Sequence, residues 1–250
     1  MTRIAASRRQ FLQASAMAIA GVGAHESLAL GTQGGGMANA QFTSIKALVF
    51  DTFGTVVDWR TSVTREVEAL AKRKGELPWT KLDALHRMTL DKILVDFGIT
   101  GLTEAETDHL NRAWHRLQPW PDAVAGLTRL RKRFTIAPLS NGNISLMTAM
   151  AKHSGLPWDV ILGAELARHY KPDREVYQSA ADFLDLAPAE VMMVAAHSGD
   201  LRAAAQVGLR TAFVTRLLEY GPNGKPDLKA ATPVDISATD FNDLATQLGA

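Results

Sequence analysis

An aspartate stands where an apolar run stops: Lys46-Ala-Leu-Val-Phe-Asp51-Thr-Phe-Gly54-Thr55. The run from Ile45 to Phe50 predicts a buried parallel strand emptying into a tight loop. A carboxylate at a strand's C-terminal end can act as a nucleophile, adding to an electrophilic carbon or phosphorus to give an ester that water then cleaves. Gly54 lets the backbone come close to whatever occupies the site. An isolated Asp in this setting is more commonly a turn former or a helix cap. Three further polar clusters follow apolar runs and change that balance: Ser140-Asn141, Lys171-Pro172 and His197-Ser-Gly-Asp200. In a parallel sheet such strand ends collect on one edge, so residues as distant in sequence as Asp51 and Asp200 can share a pocket.

The elements that must position these residues fall into two blocks. After the Asp51 loop, Val63, Val67, Leu70 and Ala71 mark one face of a helix from Thr61 to Lys74, ended by Gly75 and Pro78. Thr80-x-x-Asp83 approximates a capping box for a second helix, through Leu85, Met88 and Ile93 towards Phe97. Thr103-x-x-Glu106 introduces a third, with Leu110, Trp114 and Leu117. From Pro121 onward helix and strand alternate, with strands expected at Thr135 to Leu139, Val160 to Leu162, Val191 to Ala195 and Thr211 to Val214. The expected fold class is therefore α/β, a doubly wound parallel sheet built from residues 41–59 and 119–250. Residues 60–118 form an inserted helical cap over the strand ends.

The order strand-end Asp, Ser, Lys, distal acid resembles the four motifs of the haloacid dehalogenase superfamily, over residues 45–220. The resemblance implies that Asp51 attacks, that Lys171 keeps the carboxylate ionised and offsets transition-state charge, and that Ser140 and Asn141 donate hydrogen bonds to a substrate carboxylate or leaving group. The N-terminus of the helix after Asn143 is expected to help them. Phosphatases of this superfamily carry a second Asp two residues after the nucleophile, to protonate an alkoxide; here that residue is Phe53. A halide needs no such proton. After Asp200 the chain reads Leu-Arg-Ala-Ala-Ala-Gln, and a single downstream acid makes a poor magnesium site, so neither metal nor cofactor is expected.

Asp51 to Thr55, Ser140-Asn141, Lys171 with Tyr177 six residues on, and Asp200 resemble more closely the L-2-haloacid dehalogenase (type II) branch. That resemblance implies hydrolysis of an (S)-2-haloacid to the (R)-2-hydroxyacid and halide, through an aspartyl ester, with a short 2-haloalkanoic acid as substrate. Thr55 and Ser140 would orient the nucleophile or the substrate carboxylate, and Asn141 would help cradle the halide. Lys171 and Tyr177 would complete the charge network, and Asp200 would position Lys171 or the hydrolytic water. Tyr177 also suits plain core packing on an amphipathic helix.

The chain departs from the branch in two places. Where its enzymes have Ser-x-Asn, this sequence has Ala195-Ala-His197, and His197 can replace the Asn as a hydrogen-bonding group or assist water activation. The segment from Lys72 to Trp79 looks short for the cap helix that carries the halide-binding arginine, leaving Arg73 and Arg87 as substitutes. Two alternatives follow: a magnesium-dependent phosphatase of the same fold, and an inert binding protein that kept the fold.

The first 40 residues read differently from the rest. Ser7-Arg8-Arg9-Gln10-Phe11-Leu12, the small-residue run Ala14 to Val22 and Ala38-Asn39-Ala40 have the parts and order of a twin-arginine signal followed by a linker. Periplasmic or secreted location and contact with the twin-arginine export machinery are expected. A formal charge of +1 with scattered basic residues gives nucleic-acid binding no support. The absence of cysteine excludes disulfides and a thiol nucleophile. The 46% apolar content suffices for a core, and a homodimer is left open.

Overall fold

The computed structural model describes residues 42–58, 79–221 and 223–250. The export signal and the helix expected from Thr61 to Lys74 lie outside the described residues, as does Arg73.

Six strands form one parallel sheet in the order β3-β2-β1-β4-β5-β6: β1 is Ala47–Phe50, β2 Thr135–Ser140, β3 Leu162–Gly163, β4 Val191–Ala195, β5 Arg210–Val214 and β6 Ile236–Ala238. β1 lies near the centre, with Ala47 in register with Thr135 of β2 and with Val191 of β4. Both faces of such a strand are covered, which is why its sequence is continuously apolar rather than alternating. Leu48 and Phe50 point into one core with Ile136, Met192 and Val194, against the helices Ala123–Arg131, Ile144–Ser154 and Phe241–Gln247. Ala47 and Val49 point into the other with Leu139, Met193 and Tyr177, against the helices Arg174–Phe183 and Ser198–Val207. The chain runs outward from β1 through β2 to β3 and then returns to place β4 on the other side of β1. The crevice beyond β1 and β4 is thus the switch point where ligands bind in this architecture.

Before the second block come the helices Leu82–Asp96 and Glu104–Asn111, then a 3₁₀ turn at Arg112–Arg116. Thr103 caps as its sequence predicts: its hydroxyl accepts from Glu106 N while the Glu106 carboxylate accepts from Thr103 N. The Thr80 capping box does not form. Lys81 is the N-cap, without a side-chain bond, because Asp83 turns its carboxylate to His115 and Asn143 instead. Leu110 is exposed, so the expected apolar face of the third helix is interrupted there. β3 also starts later than expected. Val160 is partly exposed, and the preceding Asp159 is tied to β2 through its carboxylate and Ile136 N, 3.0 Å apart.

β6 and the final helix escape the sequence pattern altogether. Asp240 caps that helix by accepting from Asp243 N at 2.7 Å, and the Phe241 ring meets Phe50 edge-on with centroids 5.4 Å apart. Gly126 makes the packing possible, since a Cβ there would come within 2.4 Å of Phe241 Cβ.

Candidate active site

The loop after β1 doubles back at once: Val56 N and Val57 N both donate to Thr52 O, at 2.9 and 3.1 Å. Gly54 takes the left-handed φ of 86° that this turn requires. The turn leaves the Asp51 carboxylate over the end of the sheet. Its Oδ1 accepts from Lys171 Nζ at 2.8 Å; its Oδ2 accepts from the Thr55 hydroxyl at 2.9 Å and lies 2.8 Å from His197 Nδ1. Burial alone would push this carboxyl up, but the Lys171 charge and the His197 hydrogen bond outweigh it and hold Asp51 far below the usual carboxylate range.

Lys171 arrives from the segment before the helix Arg174–Phe183, its backbone N–H held by Asn141 Oδ1 at 2.7 Å. The ammonium group sits between Asp51 and Asp200, 2.6 Å from Asp200 Oδ2. Burial opposes its charge, yet the two carboxylates more than compensate and raise its pKa. Asp200, in the first turn of the helix Ser198–Val207, also accepts from the Tyr177 hydroxyl. Its pKa is raised, by burial first and with Lys171 pulling the other way. Tyr177 is fully buried, so it packs the core and bonds Asp200 at once.

Asp51, Thr55, Asn141, Lys171, Tyr177, His197 and Asp200 are therefore linked in one hydrogen-bonded group, and Ser140 stands beside it at the end of β2. Ser140 is buried and its oxygen accepts from Gly142 N at 3.0 Å. Asn141 stands at the same sheet edge, next to Lys171. Its amide oxygen accepts from the Lys171 backbone at 2.7 Å, so it also helps position the lysine. The helix N-terminus after Asn143 is also engaged, for Glu165 accepts from Ile144 N at 2.8 Å. Arg87 is no stand-in for a halide-binding cation: Glu104 holds both of its terminal nitrogens, and Asp91 holds Nε at 2.8 Å.

Two residues that the motif pattern did not single out complete the pocket. His197 Nε2 lies 2.7 Å from Glu219 Oε1, and Glu219 is almost wholly buried. Burial would favour the neutral ring, but the bonds to Asp51 and Glu219 prevail and raise the pKa of His197 well above its ordinary value. Arg216 is buried under the nucleophile loop, its Nε donating to Thr55 O and its Nη1 to Asp122 Oδ1, each at 2.7 Å. Both residues follow β5, so they stand at the same sheet edge as Lys171, and their position after an apolar strand is the signal in the sequence that points to them.

Phe53 stands edge-on to Trp114, centroids 5.6 Å apart, and Trp114 in turn stacks on His86. An apolar ring thus occupies the position at which a leaving-group acid would stand. Between Asp51 and Asp200 stands Lys171 Nζ, 2.8 Å from Asp51 Oδ1 and 2.6 Å from Asp200 Oδ2. Three acids or histidines do approach within 4.8 Å of one another elsewhere, His169, Asp173 and Glu175, at the surface.

This geometry agrees with what the chain is similar to. Residues 45–208 match the haloacid dehalogenase-like hydrolases, and the chain belongs to that family. Among its relatives, (S)-2-haloacid dehalogenase 1 of Pseudomonas sp. (strain CBS-3) is 31% identical over 195 residues, covering 69% of this chain and 86% of that one. A solved L-2-haloacid dehalogenase superposes with a TM-score of 0.78 at 43% identity, over 82% of this chain and 99% of its own. A defluorinating L-2-haloacid dehalogenase does so with a TM-score of 0.73 at 46% identity, over 82% and 96%.

Proposed function

We propose that this protein is a hydrolytic dehalogenase of short (S)-2-haloalkanoic acids. Asp51 displaces the halide with inversion, and water then cleaves the resulting aspartyl ester to release the (R)-2-hydroxyacid. The observation that carries the reading is the Lys171 ammonium 2.8 Å from Asp51 Oδ1, which keeps a buried carboxylate ionised as a nucleophile must be. Phe53 in place of a leaving-group acid favours a halide over an alkoxide, since only the alkoxide needs a proton. Ser140 supplies a hydroxyl hydrogen towards the substrate carboxylate. Asn141 and Asp200 hold Lys171, and Tyr177 holds Asp200. The enzyme is exported through its twin-arginine leader.

The test is halide release from L-2-chloropropionate in the presence of a metal chelator. Release is expected, and Asp51→Asn should lower it by more than about 10⁴-fold, as loss of a nucleophile does. A single turnover in ¹⁸O-labelled water should place the label in Asp51. If no 2-haloacid yields halide while phosphomonoesters are cleaved with magnesium, the phosphatase reading replaces this one.

A further inference from the structure

The two oxygens of Asp51 are bonded differently. Among the described residues Oδ1 accepts from Lys171 alone, whereas Oδ2 faces two donors, Thr55 Oγ1 at 2.9 Å and His197 Nδ1 at 2.8 Å. The direction of the Thr55 bond is fixed: its oxygen accepts from Ala196 N at 2.8 Å, so its one hydrogen points at Oδ2. The His197 ring is fixed too. Its Nε2 is 2.7 Å from the buried Glu219 carboxylate, and a ring held between two carboxylates carries a proton on each nitrogen.

We propose that Oδ1 is the attacking oxygen, that Oδ2 becomes the carbonyl oxygen of the ester, and that Thr55 and the His197 imidazolium form the oxyanion hole for its hydrolysis, with Glu219 as the positioning residue that keeps the ring charged and aimed. The assignment rests on the dehalogenase reading. In the first step an Oδ1 electron pair bonds the substrate carbon as the carbon–halogen pair leaves with the halide. Lys171 remains charged against Asp200, while Oδ2 keeps both donors. In the second step water bonds to Cγ and the carbonyl pair moves onto Oδ2, where two donors already point. One water proton goes to Asp200 and reaches the departing hydroxyacid oxygen through Lys171; the other is released to bulk water as Asp51 returns to its carboxylate. His197 gives up no proton at any stage. It stabilises developing charge in a site that needs no reorganisation.

This role differs in sign from general-base assistance. A base must lose its proton before it acts, so hydrolysis would rise with pH. An imidazolium donor must keep its proton, so hydrolysis falls as pH rises through the elevated pKa of His197. Among the described residues the charged groups that face the ring are Asp51 and Glu219, with Lys171 and Asp200 beyond the far oxygen of Asp51. Removing the Glu219 charge withdraws one of the two anions that favour the imidazolium.

The test is a quenched single turnover of the full chain with L-2-chloropropionate, following halide by ion chromatography and the ester on Asp51 by intact mass. In Glu219→Gln, halide release should stay within about threefold while ester hydrolysis slows about tenfold, so the ester accumulates, and the alkaline limb of hydrolysis should move to lower pH. His197→Phe removes the donor outright and should slow hydrolysis about 100-fold. Glu219→Asp keeps the charge and should recover most of the rate and the wild-type limb. Equal slowing of both steps in Glu219→Gln, unrepaired by Glu219→Asp, would make Glu219 merely structural and overturn the proposal. So would a hydrolysis rate that climbs with pH. A wild-type chain that gives no halide burst overturns the dehalogenase reading itself, whereas a burst with unchanged variants overturns only this assignment.

Discussion

His86 is a histidine with the opposite electrostatic fate from His197. It is 5% exposed, stacks on the Trp114 ring with centroids 4.6 Å apart, and has an Nδ1 without a hydrogen-bond partner among the described residues. Burial holds its pKa down, from 6.5 to about 4. The unfolded imidazole therefore takes up a proton before the folded one does, and stability falls as pH drops from 6.5 to about 4. The loss over that window is about 3 kcal/mol. His86→Phe should keep the stacking and flatten the window, measured as the free energy of urea unfolding against pH. His197, whose folded pKa is raised, contributes stability that is complete below the unfolded value and is lost as pH rises through the folded one. The sequence distinguished these two rings only through their neighbours. His197 follows an apolar strand and so falls at the sheet's binding edge, whereas nothing in the spacing around His86 announces a buried ring. Glu219 is harder to see because it stands five residues beyond the end of β5, behind the apolar pair Leu217-Leu218 rather than in a polar cluster at the strand end.

At the scale of elements, the segment after β5 bolts the nucleophile loop to the rest of the sheet. Arg216 bonds Thr55 O and Asp122 Oδ1, its guanidinium lies 4.5 Å from the Phe241 ring centroid, and Asp122 Oδ2 accepts from Phe241 N at 2.8 Å. One buried cation thus ties together the loop after β1, the start of the helix Ala123–Arg131 and the start of the last helix. Arg216→Gln leaves the partly buried Asp122 carboxylate without its ion-pair partner and the loop after β1 without a buried donor, and should cost about 1–3 kcal/mol, read as the shift in the urea midpoint. The helices at Glu104–Asn111 and Phe241–Gln247 show when capping is legible. Thr103 and Glu106 bond only each other, so the local motif decides the outcome. At Thr80 the same motif fails because Asp83 is claimed by residues 32 and 60 positions away, His115 and Asn143. The Ile236-Ser-Ala strand is too short to offer an apolar run, and it pairs along the edge of β5 with Ile236 and Ala238 buried.

For the whole molecule, the continuous apolar runs of β1 and β4 and the regular alternation with helices made the parallel sheet readable before its strand order was known. What could not be read is how far the core depends on the last residues. Phe241, Leu244 and Leu248 are buried in the same cluster as Phe50, although the helix that carries two of them is largely polar. Each such side chain contributes about 1.5–3 kcal/mol, so their sum approaches the whole stability of a domain. A chain ending at residue 238 should therefore lose its cooperative thermal transition, checked by circular dichroism and calorimetry.

Glu219 lies 168 positions after Asp51, with an intact hydrogen-bond relay between them through His197. During synthesis the ribosome releases the nucleophile early and its lysine later, while the anion that fixes the imidazolium comes near the end. On the assignment proposed above, the site is complete only once the segment after β5 has joined it.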